Sequence, residues 1–500
     1  MTIYRWYALA LLAAINLLNY LDRNVIFALF EPIKQDLGLT DTQLGWLGSA
    51  YILVFSVAAL PFGLLSDLRS RRAVIAGGVA VWSAFTFLGG FVRSYWQLFT
   101  CRAAVGVGEA AFGPAASSLV ADYFPGKGRA AAMGILASGI ALGGVLGIGI
   151  GGVLEREYSW RVAFMIVGLP GFACAVLAAR LIEPSRKAAP LTMRAYLRTK
   201  EGGAAALARQ FAGTLGGTAL GLAAAVLLDR VYGADSKLDA AALAAAVGAG
   251  LASDIVRWVR LVRAGQVERT PLGGGIGEAF EDLVRAGNRV LGTPTLVYVF
   301  LAGAMISFGM NGIVGWGPTF IARELALTSS QAATLLAKWG LLAGTAGTLF
   351  GGALADWLRR YTDRGRVITV TAGMLLGGPA ALWLLTVRDP SIFVPVFFGA
   401  FFFLSWYNGP ITAVIFDVVP SRVGATVAGA YLLFIHLAGD AIAFPLVGAL
   451  SDRFGLDRAV LLLPSVAMIG GVVMLGALRT LTADMRRAAA EPEVLAAKAI

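Results

Sequence analysis

Histidine occurs once in this chain of 500 residues, at position 436, and cysteine twice, at 101 and 174. A lone histidine excludes a multi-histidine metal site, and two cysteines inside apolar segments exclude a disulfide framework. Charged residues make up only 14% of the sequence, against about 25% in soluble domains. That scarcity excludes an ordinary multidomain soluble enzyme, and a hydrophobic content of 58% excludes a disordered chain. The sequence holds no phosphate-binding loop, nucleophile elbow or metal-binding cysteine pair. No metal and no cofactor is therefore expected, and the chain does not read as an enzyme.

What the sequence does have is apolar length and glycine. There are 63 glycines, well above the average of about 7%, without a collagen period. Small residues at this level suit closely packed membrane helices. Apolar runs near the 20-residue length of a bilayer span are expected at 6–30, 43–66, 73–92, 96–122, 130–152 and 161–182. A second set falls at 293–320, 331–355, 367–387, 392–418, 424–450 and 459–479. The organisation read from this is an N-terminal six-helix bundle (1–182), a central linker (183–292), a C-terminal six-helix bundle (293–480) and a tail (481–500). Within the linker, the alanine- and glycine-rich runs 211–228 and 240–256 read as an extra transmembrane hairpin, with a soluble or amphipathic helical pair as the alternative. Residues 278–291 read as an interfacial amphipathic helix.

The net charge of +11 would point to nucleic acid in a soluble protein. Here topology explains it. With both termini in the cytoplasm, most Lys and Arg fall on cytoplasmic segments, as the positive-inside rule requires. Arg198, Lys200 and Arg209 before the extra hairpin, and Arg257, Arg260 and Arg263 after it, place both its ends on that side. No nucleic-acid partner is expected. The composition and the lack of targeting signals point to a bacterial inner membrane.

The sequence repeats. GLLSDLRSRR at 63–72 follows the second run, and GALADWLRR at 352–360 follows the eighth. GPAASSLVADYFP at 113–125 ends the fourth run, and GPITAVIFDVVP at 409–420 ends the tenth. Offsets of 289 and 296 in matching order indicate a duplicated six-helix unit. The loop pattern of Gly63, Asp67, Arg71 and Arg72 resembles the gate motif of the major facilitator superfamily. That resemblance covers the chain apart from the central insertion. It implies an all-α membrane protein: two six-helix bundles with pseudo-two-fold repeat around a cavity open to alternate sides. NYLDR at 19–23, RAAVGVGEAAFGPA at 102–115 and DLGLTDTQLGWLGSAY at 36–51 resemble the spinster family of lysolipid and sphingolipid transporters.

Four charges lie well inside spans: Asp22, Arg23, Arg102 and Glu109. Each central Asp or Arg costs about 2.5–3.5 kcal/mol on insertion scales, so such residues face a cavity or a partner. Arg102 and Glu109 are seven apart and share a helix face, roughly 10.5 Å from one another. Asn19, Arg23 and Arg102 are candidate head-group ligands, because guanidinium groups take anions. Asp22 and Glu109 are candidate proton-coupling groups, competing for those arginines. The resemblance implies the same roles for acidic residues in helices one and four. The alternative is a fixed salt-bridge network locking the two helices.

By the repeat offset, Asp22 corresponds to Asn311 and Arg102 to Phe398, so the second half has lost these charges. Asn311, Phe398, Phe402, Trp406 and Asn408 are candidate cavity or tail residues. Gly63, Asp67, Arg71 and Arg72, with Asp356, Arg359 and Arg360 in the second copy, are candidate cytoplasmic gate residues. His436 and Asp440, four apart on a helix taken as peripheral, are secondary candidates. The expected function is a proton-coupled secondary transporter of lysophospholipid or sphingoid amphiphiles, acting as a monomer by alternating access. The alternative is a proton-coupled exporter of drugs or organic anions with the same fold.

Overall fold

In this computed structural model the described residues are 2–68, 70–125, 128–184 and 276–490, with scattered positions between 212 and 264; they form helices, turns and no strand. Eleven helices among them are long and apolar enough to cross a membrane. Asp41–Leu68, a helix of 28 residues, stands between the first and second of these and completes the two sets of six. The chain is an integral membrane protein. All-helical spans follow from the bilayer, where every backbone N–H and C=O must be satisfied within its own segment.

Span one is Thr2–Ala28, span two Asp41–Leu68 and span three Arg71–Gly89. Span four is two helices, Tyr95–Ala110 and Phe112–Tyr123; span five is Arg129–Glu157 and span six Trp160–Ala179. Spans seven to nine are Pro294–Glu324, Ser329–Arg359 and Gly365–Leu384. Span ten joins Pro390–Leu404 to Pro410–Asp417, and span eleven joins Ser421–Ile435 to Ala441–Phe454. Span twelve is Leu462–Ala490, which runs past the expected end at 479. The breaks in spans four and ten have one cause. Pro114 and Pro410 lack the N–H that residues 110 and 406 would accept from, and their rings crowd those carbonyls. In span four the first helix ends at Ala110, four residues before Pro114, and in span ten at Leu404, from which a 3-10 turn at Ser405–Tyr407 leads to Pro410.

The contacts divide the chain into two units: 1–66, 71–184 and 286–500 in one, and 67–70 with 185–285 in the other. The first unit contains both sets of six. Span one packs on span five, three on six, seven on twelve, and five on eight across the halves. The glycines of span five permit the first of these contacts. A Cβ on Gly143 would lie 2.4 Å from the Leu17 carbonyl oxygen, and one on Gly147 would lie 2.4 Å from that of Leu21. Gly152 similarly meets Ala333 and Ser330 of span eight.

In the second unit, most of the expected hairpin at 211–228 and 240–256 lies outside the described residues. Its described pieces are helical, with the Gly213 N–H donating to the Asp254 carboxylate at 2.9 Å. Ile276–Leu291 forms a helix where the amphipathic pattern places one. The last ten residues of the tail lie outside the described residues.

Gly147→Ala is expected to cost about 1–3 kcal/mol, the range for overpacking a tight contact. Gly134→Ala, with nothing within 4 Å, should be neutral. Thermal unfolding of the two variants in detergent checks this, and equal melting temperatures would contradict it.

Candidate functional site

Spans one and four meet through two crossed ion pairs. Arg23 Nε donates to Glu109 Oε2, and Arg102 Nη1 donates to Asp22 Oδ1 at 3.1 Å. Thr86 Oγ1 of span three donates to the other Asp22 oxygen. The helical spacing placed Arg102 and Glu109 on one face, and that face looks at span one. Asp22 and Arg23 are chain neighbours, whereas their partners stand two turns apart on span four. The crossing spans that gap because both arginines are long. Arg23 folds back over the ring of Tyr20, with its guanidinium carbon 4.7 Å from the ring centre. Rings of span two close over it, Phe55 at 4.5 Å and Tyr51 at 5.5 Å, and Tyr51 also faces Arg102 at 5.6 Å. These are cation–π distances. Span two comes this close because position 106, between Arg102 and Glu109, is glycine. A Cβ there would sit 2.5 Å from the Tyr51 carbonyl oxygen.

The cluster is dry but not fully satisfied. Arg23 keeps 9% of its side chain exposed and Glu109 none. Asn19 Nδ2, Arg102 Nε and Nη2, and Glu109 Oε1 are buried with no hydrogen-bond partner. Unmet donors and a carboxylate oxygen at such depth are unusual in a purely structural network. Asn16, on the same turn of helix, donates instead to the Leu136 carbonyl of span five at 2.8 Å.

One arginine of each repeated loop, Arg71 and Arg359, finds a carboxylate at the end of a neighbouring broken span. Arg71 is 1% exposed; it reaches Asp122 Oδ2 at 2.6 Å, Ser118 at 2.8 Å and Glu183 at 3.1 Å. Arg72 donates to the Leu181 carbonyl at 3.1 Å. In the second half, Arg359 reaches both oxygens of Asp417 at 2.7 and 2.9 Å, and Arg366 donates to the same carboxylate. Asp122 and Asp417 are the matched acids of the two GP-containing motifs. The partner of Arg359 is thus Asp417, while Asp356 is largely exposed and 3.7 Å from Arg366. Arg360 is exposed at the end of span eight. The side chain of Asp67, and position 63 with it, falls among the residues whose surroundings are not described.

At the opposite end of the spans the two halves are latched together, a feature the sequence analysis missed. Asp41 of span two accepts a bidentate pair from Arg323 of span seven at 2.8 and 2.9 Å, and Lys34 Nζ at 2.6 Å. Arg323 Nε also reaches Glu31 at 2.9 Å. Asp452 of span eleven caps the start of span two, accepting from the Asp41 and Thr42 backbone N–H groups at 2.8 and 2.9 Å. An anion at a helix N-terminus is favourable because the N–H groups there have no helical partner. Beneath the latch lies an aromatic seal: Phe27 stacks on Phe444 at 5.0 Å and Phe30 packs on Trp316 at 5.3 Å. Charges clustered at span ends were the available signal, but partners 282 and 410 residues apart cannot be matched by spacing.

The candidate second-half residues separate. Phe402 and Trp406 pack on Phe350 of span eight, at 5.5 and 5.2 Å. Phe398 is partly buried against the core. Asn408 is exposed and donates to Thr348 at 3.1 Å. Asn311 donates to Asp440 Oδ1 at 2.9 Å, and His436 Nδ1 lies 2.6 Å from Asp440 Oδ2. Span eleven was expected at the periphery. Instead, Ser49 of span two donates to its Ala441 carbonyl at 2.8 Å, so it lies at the contact between the halves.

Comparison with known proteins agrees with this architecture. Residues 12–439 match the family model of the Major Facilitator Superfamily, and the chain belongs to that family. It is 37% identical over 164 residues to an MFS-type efflux pump of Mycolicibacterium smegmatis, covering 33% of this chain and 38% of that protein. It is 22% identical over 500 residues to the sphingosine-1-phosphate transporter SPNS2 of Xenopus tropicalis, covering 94% of this chain and 80% of that one. The chain spans about a third of the length of the curated relatives it matches first, between 30% and 38%. Its fold matches the crystal structure of a bacterial homolog of the human lysosomal transporter spinster, in an inward-facing and occupied conformation. The TM-score is 0.71 at 20% identity, covering 96% of this chain and 98% of that one.

The latch sets a pH expectation. Asp41 is held by an arginine, a lysine and a serine hydroxyl at once, donor types whose protonation does not change between about pH 5 and 8. Spin labels at Thr40 and Arg453, both exposed, should therefore report one short distance, unchanged between about pH 5 and 8. Arg323→Ala removes charged hydrogen bonds worth about 1.5–3 kcal/mol each and should add a longer distance. An opening that follows pH in the unmodified latch would contradict this.

Proposed function

We propose that the protein is a proton-coupled secondary transporter that moves lysophospholipid or sphingoid-type amphiphiles by alternating access, working as a monomer in a bacterial inner membrane. The observation that carries this reading is the pair of crossed, buried ion pairs between spans one and four, with donors left over. A phosphate or phosphonate head entering there meets the free Nε and Nη2 of Arg102 and Nδ2 of Asn19. It competes with Glu109 for Arg23. A carboxylate stripped of its arginine in a dry site takes a proton to remain buried. Binding of the anion and binding of the proton are then one event, and each favours the other.

The contacts at the two ends of the spans support a rocking cycle. The latch and aromatic seal close one end, which the positive-inside distribution makes the non-cytoplasmic one. The Arg71–Asp122 and Arg359–Asp417 pairs lie within each half at the other end of the spans, so they leave the halves free to part there. Closing that end brings the two arginine loops together, and breaking the Asp41–Arg323 latch opens the other. Likeness to SPNS2 over most of the chain supports a lipid-like substrate. No bond is made or broken in this cycle.

A second reading, export of a drug or organic anion by the same exchange, is favoured by the higher local identity to the mycobacterial efflux pump. The experiment that separates them uses proteoliposomes with labelled lysophospholipid, with and without an imposed pH gradient. Saturable, gradient-driven uptake is expected, falling at least about tenfold, or about 1.4 kcal/mol, in Asp22→Asn and Arg23→Ala. Lysophospholipid that neither moves nor competes with an organic anion overturns the lipid reading. Uptake that ignores the gradient overturns the coupling.

A further inference from the structure

Asp440 is a carboxylate without an arginine. It is 2% exposed in the middle of span eleven, and no Lys or Arg partners it among the described residues. Oδ1 accepts from Ser307 Oγ and from Asn311 Nδ2, and Oδ2 faces His436 Nδ1. The backbone is built around it. His436–Asp440 is one π-helical turn, with the Ala441 N–H reaching back five residues to the His436 carbonyl. Such single π turns inside helices recur at functional sites. Pro445, one turn on, gives the Ala441 carbonyl no N–H, and Ser49 of the other half supplies the missing donor.

The place of Asp440 matters as much as its surroundings. Asn311 occupies the repeat position of Asp22, so the second half keeps a polar residue there but draws its carboxylate from span eleven. Tyr51 sits between the two centres: its ring faces Arg23 and Arg102 at 5.5 and 5.6 Å, and it lies within electrostatic reach of Asp440. Tyr407 and Tyr431 also lie within reach of Asp440. The first-half cluster balances two arginines against two acids and turns positive when one acid takes a proton. The second-half cluster carries one negative charge while His436 is neutral, and His436 keeps 31% of its side chain exposed beside it. The two clusters thus carry opposite bias, and Tyr51 is in electrostatic range of both.

We infer that Asp440, framed by His436, Ser307 and Asn311, is a cation subsite that takes the protonated amine of a zwitterionic substrate whose phosphate lies on Arg23 and Arg102. This rests on the transport function proposed above and narrows its substrate class. A buried carboxylate with no arginine or lysine partner is expensive in a membrane protein, and an ammonium supplied by the substrate would neutralise it while His436 stays neutral.

The test compares two lysolipids with the same phosphodiester and tail, lysophosphatidylethanolamine with an amine and lysophosphatidylglycerol without one. Proteoliposomes of the full chain are expected to take up the amine lipid at least about tenfold better. Asp440→Asn should abolish that preference while leaving lysophosphatidylglycerol uptake, which also shows that the variant is folded. Ser307→Ala, which frees one Asp440 lone pair and keeps the charge, should sharpen the preference, and an unchanged ratio in it counts against the subsite. Equal losses for both lipids in Asp440→Asn would make Asp440 a proton carrier instead and overturn the inference. Wild-type uptake of both lipids without preference overturns the subsite alone. Transport of neither by the wild type overturns the transport reading with it.

Discussion

Four charges buried between two apolar helices set the terms for the rest of this molecule. Asp22, Arg23, Arg102 and Glu109 would cost about 2.5–3.5 kcal/mol each on insertion scales if left alone in a bilayer. They persist because each acid has an arginine within hydrogen-bond reach. Around these pairs, glycine at position 106 lets span two approach span four, and glycines 143 and 147 let span five approach span one. The small residues pack the neighbouring spans closely around the charges, and the long arginines themselves bridge span one to span four.

The same arrangement separates two kinds of electrostatic contact. The pairs inside each half, Arg71 with Asp122 and Arg359 with Asp417, hold the broken ends of spans four and ten to the loops beside them. They do not bridge the halves. The contacts between halves, Asp41 with Arg323 and Asp452 with the start of span two, can exist only while one end is closed. A rocking mechanism needs both kinds: rigid bundles, and an interface whose bonds are exchanged between the two ends.

Much of the fold was legible in the sequence, because a bilayer allows few solutions. Span length, glycine content and the offset between Gly63 and Gly352 were sufficient for two sets of six helices. The central charges were also legible, since an ionisable residue inside an apolar run stands out. Their pairing was not. Helical spacing put Arg102 and Glu109 on one face, but which acid each arginine takes depends on side-chain reach and on Tyr20, Tyr51 and Phe55, none of which periodicity links to them. The latch was hidden for a different reason. Asp41, Arg323 and Asp452 look like ordinary charges at helix ends until the halves are closed on each other. Span eleven is expected at the periphery, and spacing shows only that His436 and Asp440 share a face. Ser307 and Asn311 supply Asp440 with partners from span seven, and Ser49 brings the span to the interface. The aromatic run of span ten shows the converse limit. Phe402 and Trp406 serve contact with span eight, as most aromatics in packed helices do.

The central claim is that an anionic head displaces Glu109 from Arg23 and that a proton takes its place. The most direct measurement is proton exchange on binding: lysophospholipid is titrated into the purified protein in weakly buffered detergent, and the pH change is read with an indicator. The account predicts that substrate binding draws protons from solution in the wild type and that Glu109→Gln binds without doing so. Identical proton uptake in Glu109→Gln, or binding with no proton exchange in the wild type, would contradict it.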